Sequence, residues 1–276
     1  MSDRVRIDLR DGVADVHLNR PEKMNALDDA MFTGLIDAGL QLSTEPGVRA
    51  VVLSGEGRAF CAGLDFSSFA AMSKAGDGSG GEQGGESGAA RGLLGKAGDS
   101  PANRAQRAAW IWQEVPVPVI AAVHGVAFGG GFQIAMGADI RIVAPDARLS
   151  VMEIKWGLVP DMSGTQSLRH LVRLDVAKEL TFTGREVSGT EALELGLATR
   201  VSDQPLEDAL EMARLVASKS PDAIRADKAL LNGAVMDSLE DGLKREERLQ
   251  RSLIGGRNQI EAVKANMEKR APRFED

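Results

Sequence analysis

With a single cysteine, Cys61, in 276 residues, the chain has no intramolecular disulfide framework, and it suits a reducing compartment. Long apolar runs are missing as well. The opening MSDRVRIDLRDG lacks the apolar centre of a secretory leader, and no later run approaches a membrane span. A cytoplasmic protein without a membrane partner is therefore expected. Positive charge is not in excess: the formal net charge is −7, which favours solubility and argues against nucleic acid as a partner. Two further signatures are absent. No GxxxxGK[ST] occurs, and VAFGGGF is not GxGxxG. Metal-ligand spacing is absent too, so no metal site is expected.

The chain that remains can bury a large core. Arg4 to Leu9 and Val13 to Leu18 flank Asp11-Gly12 and read as an antiparallel hairpin. Asp28 or Asp29 can cap a helix to about Leu42, followed by the buried strand AVVLSG at 50–55. Arg104 to Glu114 reads as a helix and VPVIAAVHG as a buried strand. A helix follows from Phe132 to Gly137, and ADIRIVA and ARLSV are short strands. From Gln166 onward helical spacing dominates. Residues 74–100 hold ten glycines and little to bury, which fits a surface loop. Both a substrate-covering lid and an insertion with no task fit that composition.

Three features can carry chemistry. Gly129, Gly130 and Gly131 stand between a strand and a helix, where unpaired N–H groups and the helix dipole create positive potential. A phosphate cradle, an oxyanion hole and close strand–helix packing all fit such a turn. GRAFCAGLDF repeats the pattern at Gly63, and N–H groups from two separate turns can pinch one oxygen. Finally, Glu153 and Asp161 bracket the apolar loop of MEIKWGLVPDMSGT. A carboxylate in apolar surroundings has a raised pKa, which suits proton abstraction near neutral pH. A solvated carboxylate or a helix cap is the ordinary alternative. No histidine is placed by motif near Cys61, so that residue reads as core.

RPEKMNAL, GRAFCAGLDF, PVIAAVHGVAFGGG, ADIRI and EIKWGLVPDMSGTQ, in this order, resemble the crotonase (enoyl-CoA hydratase/isomerase) superfamily over nearly the whole chain. The resemblance implies an α/β spiral of ββα units with a C-terminal helical region that builds trimers, often paired into hexamers. It divides the chain into a catalytic core at 1–200 and a helical region at 201–276. It implies an acyl-CoA thioester as partner, with CoA part of the substrate and no other cofactor.

Carried over by position, the oxyanion-hole donors would be the N–H groups of Leu64 and Gly130. Lys23, Met24, Ala26, Ala62, Gly63, Asp65 and Gly129 would lie along the CoA path, with Lys23 and Lys269 or Arg270 as candidates for its phosphates. Glu153 matches the second glutamate of the hydratases, while the first falls at Gln133, which can orient a water but cannot accept a proton at neutral pH. The spacing ExxxGLxxD, from Glu153 to Asp161, is similar to the dienoyl-CoA isomerase branch. That branch normally has an aspartate at position 133, and SGTQ after Asp161 fits the hydratases better. Isomerisation through Glu153 and Asp161 is the expected reaction, with hydration as the alternative. A non-catalytic CoA-thioester-binding subunit is the rival of another class.

Overall fold

A tight turn sets the first register. The computed structural model describes residues 3–65, 92–96 and 100–276. β1 (Val5–Arg10) and β2 (Val13–Leu18) pair antiparallel across Asp11 and Gly12, both at positive φ. That is the turn whose twist matches a hairpin. The Asp28 carboxylate accepts the Met31 N–H at 2.8 Å and starts α1 (Asp29–Thr44). β3 (Ala50–Gly55) lies parallel to β2. A reciprocal pair of hydrogen bonds between Asn103 and Gln106 starts α2 (Arg104–Glu114).

The chain then alternates between two sheets. β4 (Val119–Val123) joins the large sheet, β5 (Val126–Phe128) the small one, and α3 (Gly130–Gly137) follows. β6 (Ile140–Val143) and β7 (Arg148–Ser150) repeat the alternation, leading into a 3-10 turn at Glu153–Trp156 and α4 (Gly164–Leu171). After α5 (Leu174–Thr183) come β8 (Val187–Ser188), α6 (Gly189–Leu195) and β9 (Arg200–Val201). Among the described residues the large sheet has six strands in the order β1-β2-β3-β4-β6-β9, and the small sheet runs β5-β7-β8. This is the α/β architecture of ββα units expected from the sequence.

Both faces of the large sheet are covered. Ala14, Val16, Val51, Leu53, Ala121 and Val123 face α1, α2 and α3. The alternate residues Val13, Ala50, Val52, Ile120, Ala122 and Ile142 face α7 (Pro205–Ala217). Helix α7 presents Ala209, Ala213 and Ala217 at four-residue spacing, so its backbone can approach the strands closely. α8 (Pro221–Ala234) is fastened by the buried Lys228, whose ammonium donates to the carbonyls of Trp112 (2.9 Å) and Val117 (3.0 Å) and pairs with Asp139 at 2.7 Å. α9 (Leu239–Leu253) buries none of its residues, and α10 (Arg257–Met267) leads to a tail whose Asp276 meets Arg49 at 2.8 Å. Among the described residues no helix is long and apolar enough to cross a membrane.

Two expectations need correction. The helix expected from Phe132 begins at Gly130, so two of the three glycines form its first turn. The strands β8 and β9 had no recognised signal, because two residues cannot display a period, and β5 went unread between VPVIAAVHG and the glycines. Most of the glycine-rich stretch 74–100, with its candidate lid, falls outside the described residues.

Candidate active site

Two backbone turns converge beyond the ends of β3 and β5. Cys61 donates its N–H to the Val126 carbonyl at 3.0 Å and accepts the Phe128 N–H at 3.0 Å, which sews the turns together. On the other side Leu27 donates to the Gly63 carbonyl (2.8 Å) and accepts the Asp65 N–H (3.0 Å). The peptide groups flanking Leu64 thus point at Leu27, and the Leu64 N–H points away from it. Gly130 opens α3, where an N–H has no intrahelical acceptor.

The three glycines at 129–131 serve different ends. Gly131 lies against Cys61: a β-carbon there would sit 2.3 Å from the Cys61 carbonyl oxygen, which is the close-packing reading. Gly129 takes φ +52, and its missing β-carbon leaves room for Oε1 of Glu153. Gly130 borders a cavity of about 480 Å³, together with Gly63, Leu64 and Gly129. The rest of the wall is mainly apolar and includes Leu27, Phe32, Phe128, Trp156, Leu158 and Met162.

Glu153 and Asp161 both line this cavity. Glu153 is 8 % exposed, and its Oε1 accepts a hydrogen bond from the Gln133 amide at 2.6 Å. Its Oε2 is buried without a hydrogen-bond partner among the described residues. Burial pushes the Glu153 carboxyl above the usual glutamate range. Its own backbone N–H and Gln133 pull it back, while the negative charge of Asp161 pushes the same way as burial. Asp161 is more exposed than Glu153, yet the surrounding protein atoms also raise its carboxyl.

Gln133 corrects an expectation. A water-orienting residue belongs in the cavity wall, but Gln133 is 1 % exposed and does not line the cavity. Its Oε1 accepts the N–H groups of Met162 (2.8 Å) and Gly164 (2.9 Å), which fixes the amide so that Nε2 faces Glu153.

The other expected positions divide. Met24 and Ala62 line the cavity, and Lys23 stands exposed beside Met24 at the end of the turn Pro21–Lys23. Ala26 is buried, with its carbonyl held by Arg20 at 3.1 Å. Asp65 is buried, and its carboxylate pairs with Arg20 at 2.6 Å. Lys269 does not line the cavity in this chain, and Arg270 is paired with Glu261 and Glu268. Cys61 is core: burial pushes its thiol up to about 12. Phe32 and Ala105 went unrecognised as wall residues, because an apolar position on a helix reads the same whether it meets core or cavity.

Two facing backbone turns, an apolar cavity and a half-hidden carboxylate on an α/β spiral define the crotonase class of enzymes. Comparison with known proteins agrees. The enoyl-CoA hydratase/isomerase family profile matches residues 13–229. A probable enoyl-CoA hydratase of Bacillus subtilis is 34 % identical over 253 residues, covering 91 % of this chain and 90 % of the relative. A peroxisomal Δ(3,5)-Δ(2,4)-dienoyl-CoA isomerase of Arabidopsis thaliana is 34 % identical over 260 residues, covering 93 % and 90 %. The crystal structure of a hydratase/isomerase-type protein from Mycobacterium abscessus superimposes with a TM-score of 0.86 at 30 % identity, over 98 % of each chain. The chain belongs to the enoyl-CoA hydratase/isomerase family.

Proposed function

We propose that this enzyme moves double bonds along the acyl chain of an enoyl- or dienoyl-CoA. The observation that carries the reading is the pair Glu153 and Asp161 on one apolar cavity, with Gln133 outside the cavity wall and its amide engaged by Glu153. The thioester oxygen would lie between the N–H groups of Leu64 and Gly130. Oε2 of Glu153 would take the proton acidified by the unsaturated thioester. The C–H electron pair forms a double bond to the thioester carbon. The carbonyl pair moves onto the thioester oxygen as an enolate conjugated with the existing double bond, which shifts only when the enolate collapses. Each backbone donor to such an oxygen is typically worth about 3–4 kcal/mol of barrier. Collapse of the enolate then takes a proton at the far carbon from Glu153 or Asp161, so no atom is gained or lost.

The raised carboxyl of Glu153 supports this use, because burial makes it a stronger base than an ordinary glutamate and so better able to take a proton and return it. CoA would enter as part of the substrate, with the exposed Lys23 as a contact for it outside the cavity. Hydration is the second reading, favoured by the hydratase names of several relatives. It would leave Glu153 to activate water without a second carboxylate at position 133. Substitution Glu153→Gln tests the proposal: double-bond migration should fall by about 10²–10⁴-fold. Unchanged turnover would remove Glu153 from the mechanism.

We also propose assembly into trimers or hexamers through the C-terminal helices. Exposed Leu231, Leu239 and Met267, with relative exposures of 71, 82 and 79 %, support a partner for that face.

A further inference from the structure

Gln133 joins three parts of the site that lie far apart in sequence. It belongs to α3, whose first turn carries Gly130, and its own N–H donates to the Gly129 carbonyl at 3.0 Å. Its Oε1 holds the Met162 and Gly164 N–H groups at 2.8 and 2.9 Å, fixing the turn that follows Asp161 and the start of α4. Its Nε2 donates to Oε1 of Glu153 at 2.6 Å.

The polarity of this chain of bonds runs one way. The start of α4 directs N–H groups at the amide oxygen, and the dipole there adds positive potential. A polarised amide is a better donor through its nitrogen, so the hydrogen bond to Glu153 is strengthened. The bond occupies Oε1 and leaves Oε2 as the oxygen without a partner. The charged group facing Glu153 among the described residues is Asp161, and it opposes ionisation of Glu153, whereas Gln133 favours it.

We infer that Gln133 is a positioning residue: its neutral amide fixes Glu153 so that Oε2 alone carries the proton, and ties Glu153 to the Asp161 turn. A carboxylate at the same place would accept the two backbone N–H groups equally well. It could not donate to Oε1, however, and the two acids would have to share a proton. The amide is therefore what keeps Glu153 available as a single base. This inference rests on the proposed isomerisation only for its kinetic readout.

The test uses full-length protein with two variants, Gln133→Met, which keeps length and loses every bond, and Gln133→Glu, which keeps the shape and the acceptor. The Glu153 carboxyl is titrated by carbon-13 NMR in glutamate-labelled protein, its resonance identified by its loss in Glu153→Gln. The rates of double-bond migration are followed against pH in parallel. Both variants should move the Glu153 midpoint upward, with the acid limb of the rate profile moving alongside. On the acid limb of the parent's profile kcat should fall by about tenfold or more while KM changes less than about threefold. If Gln133→Met does not fold, Gln133→Glu alone carries the test. A Glu153 midpoint that stays in place in the folded variant overturns the inference, whatever happens to the rate. A midpoint that moves in a protein with no isomerase activity supports the inference and counts against the proposed reaction instead.

Discussion

Gly63 and Gly130 stand face to face across the site. A β-carbon on Gly63 would lie 3.7 Å from the Gly130 nitrogen and 2.6 Å from the Phe128 carbonyl oxygen. The second distance is too short for any real contact, and Gly63 also takes φ +86, which other residues avoid. The two turns can meet around one small atom only because both lack side chains.

Substitution Gly63→Ala should therefore separate the turns. Loss of one donor geometry predicts a fall in kcat of about 10²–10³-fold with far less change in KM. Steady-state kinetics and circular dichroism check this together. A folded Gly63→Ala protein with parental kcat would exclude the pair of turns as the oxyanion site.

Asp161 should matter in proportion to how far the proton travels. A single carboxylate can serve a one-position shift, whereas migration across a conjugated diene uses both ends of the pair. Asp161→Asn is expected to lower turnover of a 3,5-dienoyl-CoA by about 10²-fold and that of a 3-enoyl-CoA much less. Equal losses on the two substrates would assign Asp161 a general structural role.

The raised carboxyl of Glu153 fixes the sign of two pH effects. Its base form disappears as pH falls through its folded pKa, so the acid limb of kcat/KM should lie above the ordinary glutamate value of 4.5. For stability, the folded chain holds this proton to higher pH than the unfolded chain does. Stability is thus lost as pH rises from 4.5 through the folded pKa, and levels off above it. Glu153→Gln removes the charge, so its melting temperature relative to the parent should increase across that window. A constant difference from pH 4 to 8 would contradict the burial argument.

Lys228 should be a stability residue and not a chemical one. Burial lowers its ammonium and raises the Asp139 carboxyl, while their pairing opposes both changes. Removing one partner strands the other inside, so Lys228→Met should cost about 3–5 kcal/mol in urea unfolding. Adding Asp139→Asn to Lys228→Met should restore part of the loss, because the stranded carboxylate is gone, and only part, because the buried Arg141 then loses the charge that supports it.

The sequence was most legible where one local signal dominated. Asp11-Gly12 between alternating strands, Asp28 ahead of α1, and the span Arg104–Glu114 were all readable and all correct. The site was legible through its glycines and carboxylates, whose chemistry needs those residue types. Gln133 was not. Position 133 pointed to a group on water, and nothing local could show that its amide would turn toward Glu153 and the 162–164 turn. That orientation depends on contacts 20 and 31 residues away. The short strands β8 and β9 were hidden for the opposite reason, having too few residues to show a pattern.

The most direct measurement presents the purified enzyme with a 2-enoyl-CoA, a 3-enoyl-CoA and a 3,5-dienoyl-CoA in parallel. Ultraviolet absorbance reports conjugation, and mass spectrometry reports any added water. Migration of the double bond in the 3-enoyl or 3,5-dienoyl substrate without a change of mass is the predicted result. Rapid gain of one water by the 2-enoyl thioester, with the other two substrates untouched, would contradict it and make Glu153 the sole carboxylate of a hydratase.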